Sequence, residues 1–115
     1  MNIVRSADIN MISSPNGNES GAVATPNKGA TEVNVIRQHE EAGGKNPPHK
    51  HSKEEVMVML EGSVTVTVEE ESATLSAGDT LIVPANTVHY LENQGDVTAE
   101  WLIISSSGRT FEAPT

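Results

Sequence analysis

The stretch that decides the fold is residues 43–62, GGKNPPHKHSKEEVMVMLEG. It places His49 and His51 one residue apart. On a β-strand, positions i and i+2 project to the same side, so both imidazoles can reach one ion. Glu55 follows His51 after an even number of steps and shares that side if the chain stays extended. The stretch therefore predicts a place where two imidazoles and a carboxylate meet.

A second stretch, residues 78–93, GDTLIVPANTVHYLEN, contains His89, which would have to reach the same place from another strand. Three imidazoles and one carboxylate suit Mn, Fe, Co, Ni or Zn, and they leave coordination positions open for water or substrate. We therefore expect one divalent transition metal ion per chain.

Together the two stretches resemble the two sequence motifs of the cupin superfamily, in its small single-domain (cupin 2) form. Only Asn86 departs from the pattern, at a place where the family usually has glycine. Asparagine is the residue that tolerates a positive φ next best after glycine, so the departure hardly weakens the match. The matching positions are Gly43, His49, His51, Glu55, Gly62, Gly78, Pro84, His89 and Asn93.

The resemblance implies an all-β fold, the double-stranded β-helix or jelly-roll-like barrel. It also implies that the metal is bound by His49, His51, Glu55 and His89. Within the motif spacing the acidic ligand is Glu55, and we expect Glu54 to point to solvent.

From Thr31 onward the sequence is typical of β-structure, because short segments rich in Val, Ile and Thr alternate with turn residues. No segment shows sustained helical periodicity. The predicted strands are Glu32–His39, Glu54–Leu60, Ser63–Glu69, Ala73–Leu75, Thr80–Val83, Val88–Leu91 and Thr98–Ile104.

We divide the chain into an N-terminal extension, residues 1–30, with short strands that pack on the barrel, and the barrel itself, residues 31–115. Residues 56–60 and 101–104 are apolar on both faces of their predicted strands. One face lines the barrel, so the other needs a cover, which is either the extension or a second subunit. This pattern favours a homodimer.

Four further residues are candidates for lining the pocket. Met57 and Met59 share parity with Glu55, so we expect them to lie beside the metal, as pocket walls or as ordinary core. Arg37 and His39 either hold a substrate anion in the pocket or lie in solvent at the barrel rim. Few aromatic residues are available, which suggests a small or aliphatic ligand.

Composition limits the partners. The chain has 115 residues, a net charge of −9 and a pI near 4.7. An acidic surface repels phosphate backbones and anionic lipids, so we expect neither nucleic acid nor membrane as a partner. The absence of cysteine excludes thiol catalysis and Fe–S ligation. No stretch has the pattern of a signal peptide, and a cytoplasmic location is expected.

The expected function is that of a metal-dependent oxidoreductase, similar to a dioxygenase, acting on a small molecule. Glu55 could then also serve as a catalytic base. Two alternatives stay open at this stage. One is a non-catalytic cupin that senses or carries a small molecule or a metal, and the other is an isomerase or epimerase.

Overall fold

The computed structural model describes residues 1–114 and contains eleven β-strands in two antiparallel sheets. None of the helical segments in these residues is long and apolar enough to cross a membrane. The strands are β1 (Ile12–Ser13), β2 (Asn18–Ala24), β3 (Val33–Glu40), β4 (Lys45–His51), β5 (Glu55–Glu61), β6 (Ser63–Val68), β7 (Glu71–Ser76), β8 (Thr80–Val83), β9 (His89–Glu92), β10 (Ala99–Ser106) and β11 (Phe111–Glu112).

Two sheets face each other across the core. The six-stranded sheet has the order β1-β2-β3-β10-β5-β8, and the five-stranded sheet has the order β11-β4-β9-β6-β7. Neighbours along the chain often lie in different sheets, as β4 and β5 do, which is how a jelly-roll barrel is wound. The predicted all-β barrel is therefore confirmed.

Strict alternation along β5 and β10 separates the inside of the barrel from the outside. Met57, Met59, Trp101 and Ile103 are buried, while the residues between them face outward and are partly accessible. Trp101 lies at the centre of the core, fully buried, and its indole Nε1–H donates a 2.9 Å hydrogen bond to Oε1 of Gln38. The apolar core therefore fills the middle of the barrel and leaves one end for polar residues.

The predicted strands of residues 31–115 all occur within two residues of their expected bounds, but two observed strands, β4 and the two-residue β11, were not predicted. The two prolines of β4, Pro47 and Pro48, argue against a strand because they cannot donate to a ladder. The strand accommodates them because its pairing with β9 shifts register between Asn46 and His49.

Two turns require unusual backbone. Asn86 has φ 59°, which explains why asparagine can replace the glycine usual at this place. Gly62 has φ 70° between β5 and β6, and a Cβ there would lie 2.9 Å from the backbone of Ala99. The hairpin predicted at Glu61-Gly62 therefore needs glycine both for its conformation and for space.

The N-terminal residues extend the six-stranded sheet. β2 pairs along β3, and β1 pairs with β2 at the edge. The outer face of this sheet keeps exposed apolar side chains, with Ile82 at 61%, Val33 at 44% and Leu60 at 40% exposure. The extension thus lengthens the sheet and leaves much of its outer face accessible.

Candidate metal centre

Three histidines meet at one end of the barrel. β4 supplies His49 and His51, and β9 supplies His89, whose backbone pairs directly with His49. All three side chains are buried, and one ring nitrogen of each lies within 4.8 Å of those of the other two. The i, i+2 spacing predicted from the sequence thus places the first two imidazoles on the same face of β4.

Local hydrogen bonds orient two of these rings. The Pro47 carbonyl oxygen lies 2.7 Å from Nδ1 of His49, and the Thr87 carbonyl oxygen lies 2.9 Å from Nδ1 of His89. A carbonyl only accepts, so Nδ1 carries the proton in each ring and Nε2 keeps its lone pair. Nε2 of His89 is buried and has no hydrogen-bond partner among the described residues. An unpartnered buried lone pair beside two other imidazoles is what a metal ligand requires.

Glu55 approaches the histidines from the opposite sheet. The chain does not stay extended after His51, so the condition under which Glu55 would share one side of the same strand is not met. Residues 52–54 bend instead, and Glu55 begins β5 in the six-stranded sheet. Its Oε2 lies 3.0 Å from Nε2 of His51, and its Oε1 lies 3.7 Å from Nε2 of His89. Glu54 is exposed, as expected.

The titration of two of these groups suits metal binding. Burial, reinforced by the neighbouring histidines, lowers the pKa of His49 to about 4, so its imidazole is neutral at physiological pH. Burial alone would raise the pKa of Glu55, but His51, His89 and Arg109 outweigh it and lower that pKa to about 2. The site therefore offers a neutral imidazole and an ionised carboxylate, which are the forms that bind a cation.

A cavity of about 360 Å³ opens beside this cluster. The polar part of its wall includes Asn18, Gln38 and Asn46, and Asn18 Nδ2 donates a 2.8 Å hydrogen bond to Asn46 Oδ1. The apolar part includes Met57, Leu81 and Ile103. A cavity of this size and mixed character suits a small molecule.

The four predicted pocket residues have different locations. Met57 lines the cavity, whereas Met59 is buried in the core beyond it. Arg37 and His39 do not reach the cavity, because they alternate with inward-facing residues of β3 and lie on the outer face. There Nε of Arg37 lies 3.3 Å and Nε2 of His39 lies 3.6 Å from Oε1 of Glu100. Of the two alternatives left open for Arg37 and His39, this location agrees with the one outside the pocket.

Two residues at the site were missed by the sequence analysis. Nη1 of Arg109 lies 3.0 Å from Oε2 of Glu55 and 3.1 Å from Nδ1 of His51. The ring of Phe111 stacks on that of His49, with centroids 4.8 Å apart and planes 12° apart. Phe111 is the one Phe, Tyr or Trp on the cavity wall in the described chain, so the expectation of few aromatic residues there is not contradicted. No motif or spacing could have located Arg109 or Phe111, because more than fifty positions separate them from His51 and Glu55.

The donor set fits a transition metal ion. Three buried imidazoles and an ionised carboxylate converge, and the orphaned Nε2 of His89 lacks any other partner in residues 1–114. Such a set of nitrogen and oxygen donors suits Fe, Mn, Co, Ni or Zn. Chemically, the arrangement can hold one such ion at the wall of a cavity that admits a small ligand.

Comparisons with known proteins place this geometry in context. The uncharacterized protein MJ1618 of Methanocaldococcus jannaschii is 38% identical over 64 residues, which are 55% of this chain and 51% of that protein. The chain spans between 32% and 51% of the length of five curated relatives that it matches.

Solved structures share the fold. The polyketide cyclase RemF from Streptomyces resistomycificus superposes with a TM-score of 0.87 at 18% identity, over 100% of this chain and 86% of that chain. At that identity the likeness shows the fold alone. An oxalate oxidase structure has a TM-score of 0.75 at 25% identity, over 85% of this chain and 56% of that chain. A family model for the cupin domain (Cupin_2) matches residues 36–105, more than half of the sequence, and the chain belongs to the cupin family.

Proposed function

We propose that this chain binds one divalent transition metal ion through His49, His51, Glu55 and His89 and uses it in oxidoreductase chemistry on a small molecule. The observation that carries the proposal is the convergence of three buried imidazoles on one point, with Nε2 of His89 left unpartnered. An ion at this point would supply a Lewis acid with open coordination positions and, if it is Fe or Mn, a redox centre.

The chain's own residues would hold the donors ready. The carbonyl oxygens of Pro47 and Thr87 fix the proton on Nδ1 of His49 and His89, so neither ring must change tautomer to bind. Glu55 contributes a negative charge from the opposite sheet. A pKa of about 2 makes it a poor proton acceptor while Arg109 contacts it. We therefore assign Glu55 a ligand role first, and a role as base only after it leaves Arg109.

The similarity to oxalate oxidase supports the oxidoreductase class, since that protein is by its name an oxidase of a small molecule. The cavity of about 360 Å³ supports a ligand of modest size. Neither observation identifies the substrate, so the proposal commits to the reaction class and to the metal.

Metal analysis tests the binding part of the proposal. Protein purified without an affinity tag should contain about one equivalent of transition metal per chain by elemental analysis. His51→Ala should lose that metal while its circular dichroism stays that of a folded β-protein. His39→Ala is the matched control, because His39 lies on the outer face and should keep the metal. A His51→Ala protein that still binds one ion tightly would refute the ligand assignment.

Oxygen uptake tests the oxidoreductase part. Protein loaded with Fe(II) under argon should consume O₂ when it is offered one of a panel of diketones, catechols and small carboxylic acids. Uptake must be absent in His51→Ala and present in His39→Ala. If metal binds but no member of a broad panel is turned over, the oxidoreductase class is wrong and the alternative below gains support.

The alternative is a non-catalytic cupin that binds a small molecule or senses a metal. The cavity wall favours this alternative. Within residues 1–114, the titratable or charged residues on the wall are Glu55, Arg109 and the three histidines. The other polar groups on the wall are amides and hydroxyls. These groups recognise ligands but do not exchange protons near neutral pH. An isomerase or epimerase has less support, since the described wall contains neither Tyr nor Asp to form an acid–base pair.

We also propose that two copies pair through the outer face of the six-stranded sheet. That face carries apolar residues from four neighbouring strands, among them Val58 of β5 and Ile104 of β10. A second copy would bring the same apolar residues, so the two faces would complement each other by symmetry. The cytoplasmic location expected from the sequence stays a prediction.

A further inference from the structure

The segment after β10 crosses from one sheet to the other and contributes Arg109 and Phe111 to the cavity wall. We call it the strap, residues 107–112. It begins where the backbone amide of Ser107 donates a 3.0 Å hydrogen bond to the Glu32 carbonyl, and Gly108 at φ 82° then redirects the chain. It ends as β11, which pairs antiparallel with β4, so that Phe111 lies opposite His51. The strap thus joins the edge of the ligand-bearing strand.

The strap is held beside the site by specific contacts. The Thr110 amide donates to Oγ of Ser52 at 2.7 Å, and the Ser52 amide donates to the Thr110 carbonyl at 3.1 Å. Between these anchors and Gly108, the side chain of Arg109 turns inward and is largely buried, at 16% exposure, while Phe111 covers His49 from outside. The strap therefore delivers one cation into the cavity.

Arg109 uses only part of its guanidinium there. Within residues 1–114, every hydrogen bond of this side chain comes from Nη1, which meets Glu55 and the ring of His51. A guanidinium has five N–H groups in a planar fork that matches a carboxylate with two parallel bonds. The Nε–Nη2 edge makes no hydrogen bond within residues 1–114 and can receive such a ligand.

The charge around the cavity also favours an anion. Besides the histidines, Glu55 and Arg109 are the only charged residues lining it in the described chain. A divalent ion, one carboxylate and one guanidinium leave a net charge of about +2. This local charge contrasts with the −9 of the whole chain, and a partly enclosed site strengthens its pull on an anion.

From this geometry we propose that Arg109, carried by the strap, is the residue that selects a small carboxylate as the ligand or substrate of the metal site. Arg109 would bind the carboxylate through its free edge, beside the open positions of the ion. The inference rests on the proposed metal site and adds the substrate class to it.

The test measures ligand binding to protein loaded with Co²⁺, whose visible spectrum changes when a ligand enters its coordination sphere. Malonate is the anionic probe, and imidazole at pH 8 is the neutral probe. We expect Arg109→Gln to weaken malonate binding about tenfold or more, because a charge-assisted bidentate contact is lost. Imidazole affinity and Co²⁺ affinity should change by no more than about threefold. Arg109→Lys, which keeps the charge and loses the fork, should fall between these values.

A matched control removes the same charge elsewhere. Arg37→Gln deletes an arginine on the outer face and should leave the affinities for malonate, imidazole and Co²⁺ unchanged. Unchanged malonate binding in Arg109→Gln, with Co²⁺ retained, would overturn the inference alone. Equal weakening of both probes, or loss of Co²⁺ affinity, would also overturn it, since Arg109 would then merely position Glu55. Failure of Co²⁺ to bind the unaltered chain would overturn the metal site and this inference with it.

Discussion

At the scale of single residues, the site depends on groups that are buried and aimed before any ligand arrives. His49 and His89 each donate a hydrogen bond from Nδ1 to the backbone carbonyl two residues earlier, that of Pro47 or Thr87. This local contact holds each ring in one tautomer, so binding a cation need not reorganise the ring. The same i−2 contact occurs at both histidines, so the local backbone before each one orients its ring.

Glu40 is a second buried carboxyl, outside the proposed ligand set. It is fully buried at the end of β3, and neither of its carboxyl oxygens has a hydrogen-bond partner among the described residues. Burial raises its pKa from 4.5 to about 7; the nearby backbone amide of Asn93 opposes this rise, and the charge of Glu92 adds to it. The folded chain therefore holds a proton that the unfolded chain releases above pH 4.5.

This difference predicts how stability depends on pH. Because the folded state binds more protons between pH 4.5 and 7, the free energy of unfolding should fall as the pH rises through that range. The loss attributable to Glu40 is at most about 3 kcal/mol. Glu40→Gln should remove this part of the slope and be the more stable protein at pH 8, as measured by urea unfolding. Glu41→Gln, at an exposed neighbour, is the control, and equal slopes in both variants would contradict the assignment.

Asn86 offers a test of backbone strain. Its φ of 59° suits glycine or asparagine, and its backbone N–H donates a 2.7 Å hydrogen bond to the His51 carbonyl. Asn86→Val should cost about 1–2 kcal/mol, because a β-branched residue is strained in the left-handed region. Asn86→Gly should stay within about 1 kcal/mol of the original. Thermal unfolding of the two variants distinguishes them, and equal melting temperatures would argue against this backbone role.

At the scale of elements, the sequence predicted which residues meet but not how all of them arrive. Alternation on β4 follows from the period of a strand, so His49 and His51 could be paired from their spacing alone. Glu55 arrives through a bend at residues 52–54 that sends the chain to the other sheet. Spacing alone does not distinguish an extended strand from such a bend. The register shift that accommodates Pro47 and Pro48 depends on the pairing of β4 with β9, so the sequence of β4 alone could not predict it.

Arg109 lay beyond sequence prediction for a related reason. Its contact with Glu55 depends on the path of the strap, which is fixed by pairing of β11 with β4 and by bonds to Ser52. These are long-range pairings of a short segment with little apolar pattern. Arg37 and His39 were the nearer candidates in sequence, yet the alternation of β3 turns them outward.

The strap should be the least stable part of the barrel mouth, because β11 is only two residues long and Phe111 is 72% exposed. Phe111→Ala removes its stacking on His49 and should loosen the segment. Hydrogen exchange should then speed up at the amides of Ser52 and Thr110, whose hydrogen bonds join the strap to the segment after β4. Amides in the β5–β10 ladder should be unaffected. Unchanged exchange at Ser52 would show that the backbone bonds alone hold the strap.

At the scale of the whole molecule, the outer face of the six-stranded sheet carries apolar side chains that remain accessible in a single copy of this acidic chain. Val58 lies in the middle of that face, between Leu102 of β10 and Thr80 of β8. Val58→Glu should convert the proposed dimer to a monomer, because a buried interface does not tolerate unpaired carboxylates. Thr74→Glu changes an exposed residue on β7 of the other sheet and should leave the dimer intact. Light scattering coupled to size exclusion measures both, and a monomeric unaltered chain would refute the dimer.

The proposed metal site unites both sheets, because β4 and β9 of one sheet and β5 of the other bring the four donors together. The most direct measurement is an anomalous difference map from crystals of tag-free protein, recorded at the absorption edge of the metal found by elemental analysis. The account predicts one strong peak per chain, about 2.0–2.2 Å from Nε2 of His49 and His89 and bounded by His51 and Glu55. A map with no peak among these four side chains, or with its peak elsewhere on the chain, would contradict it.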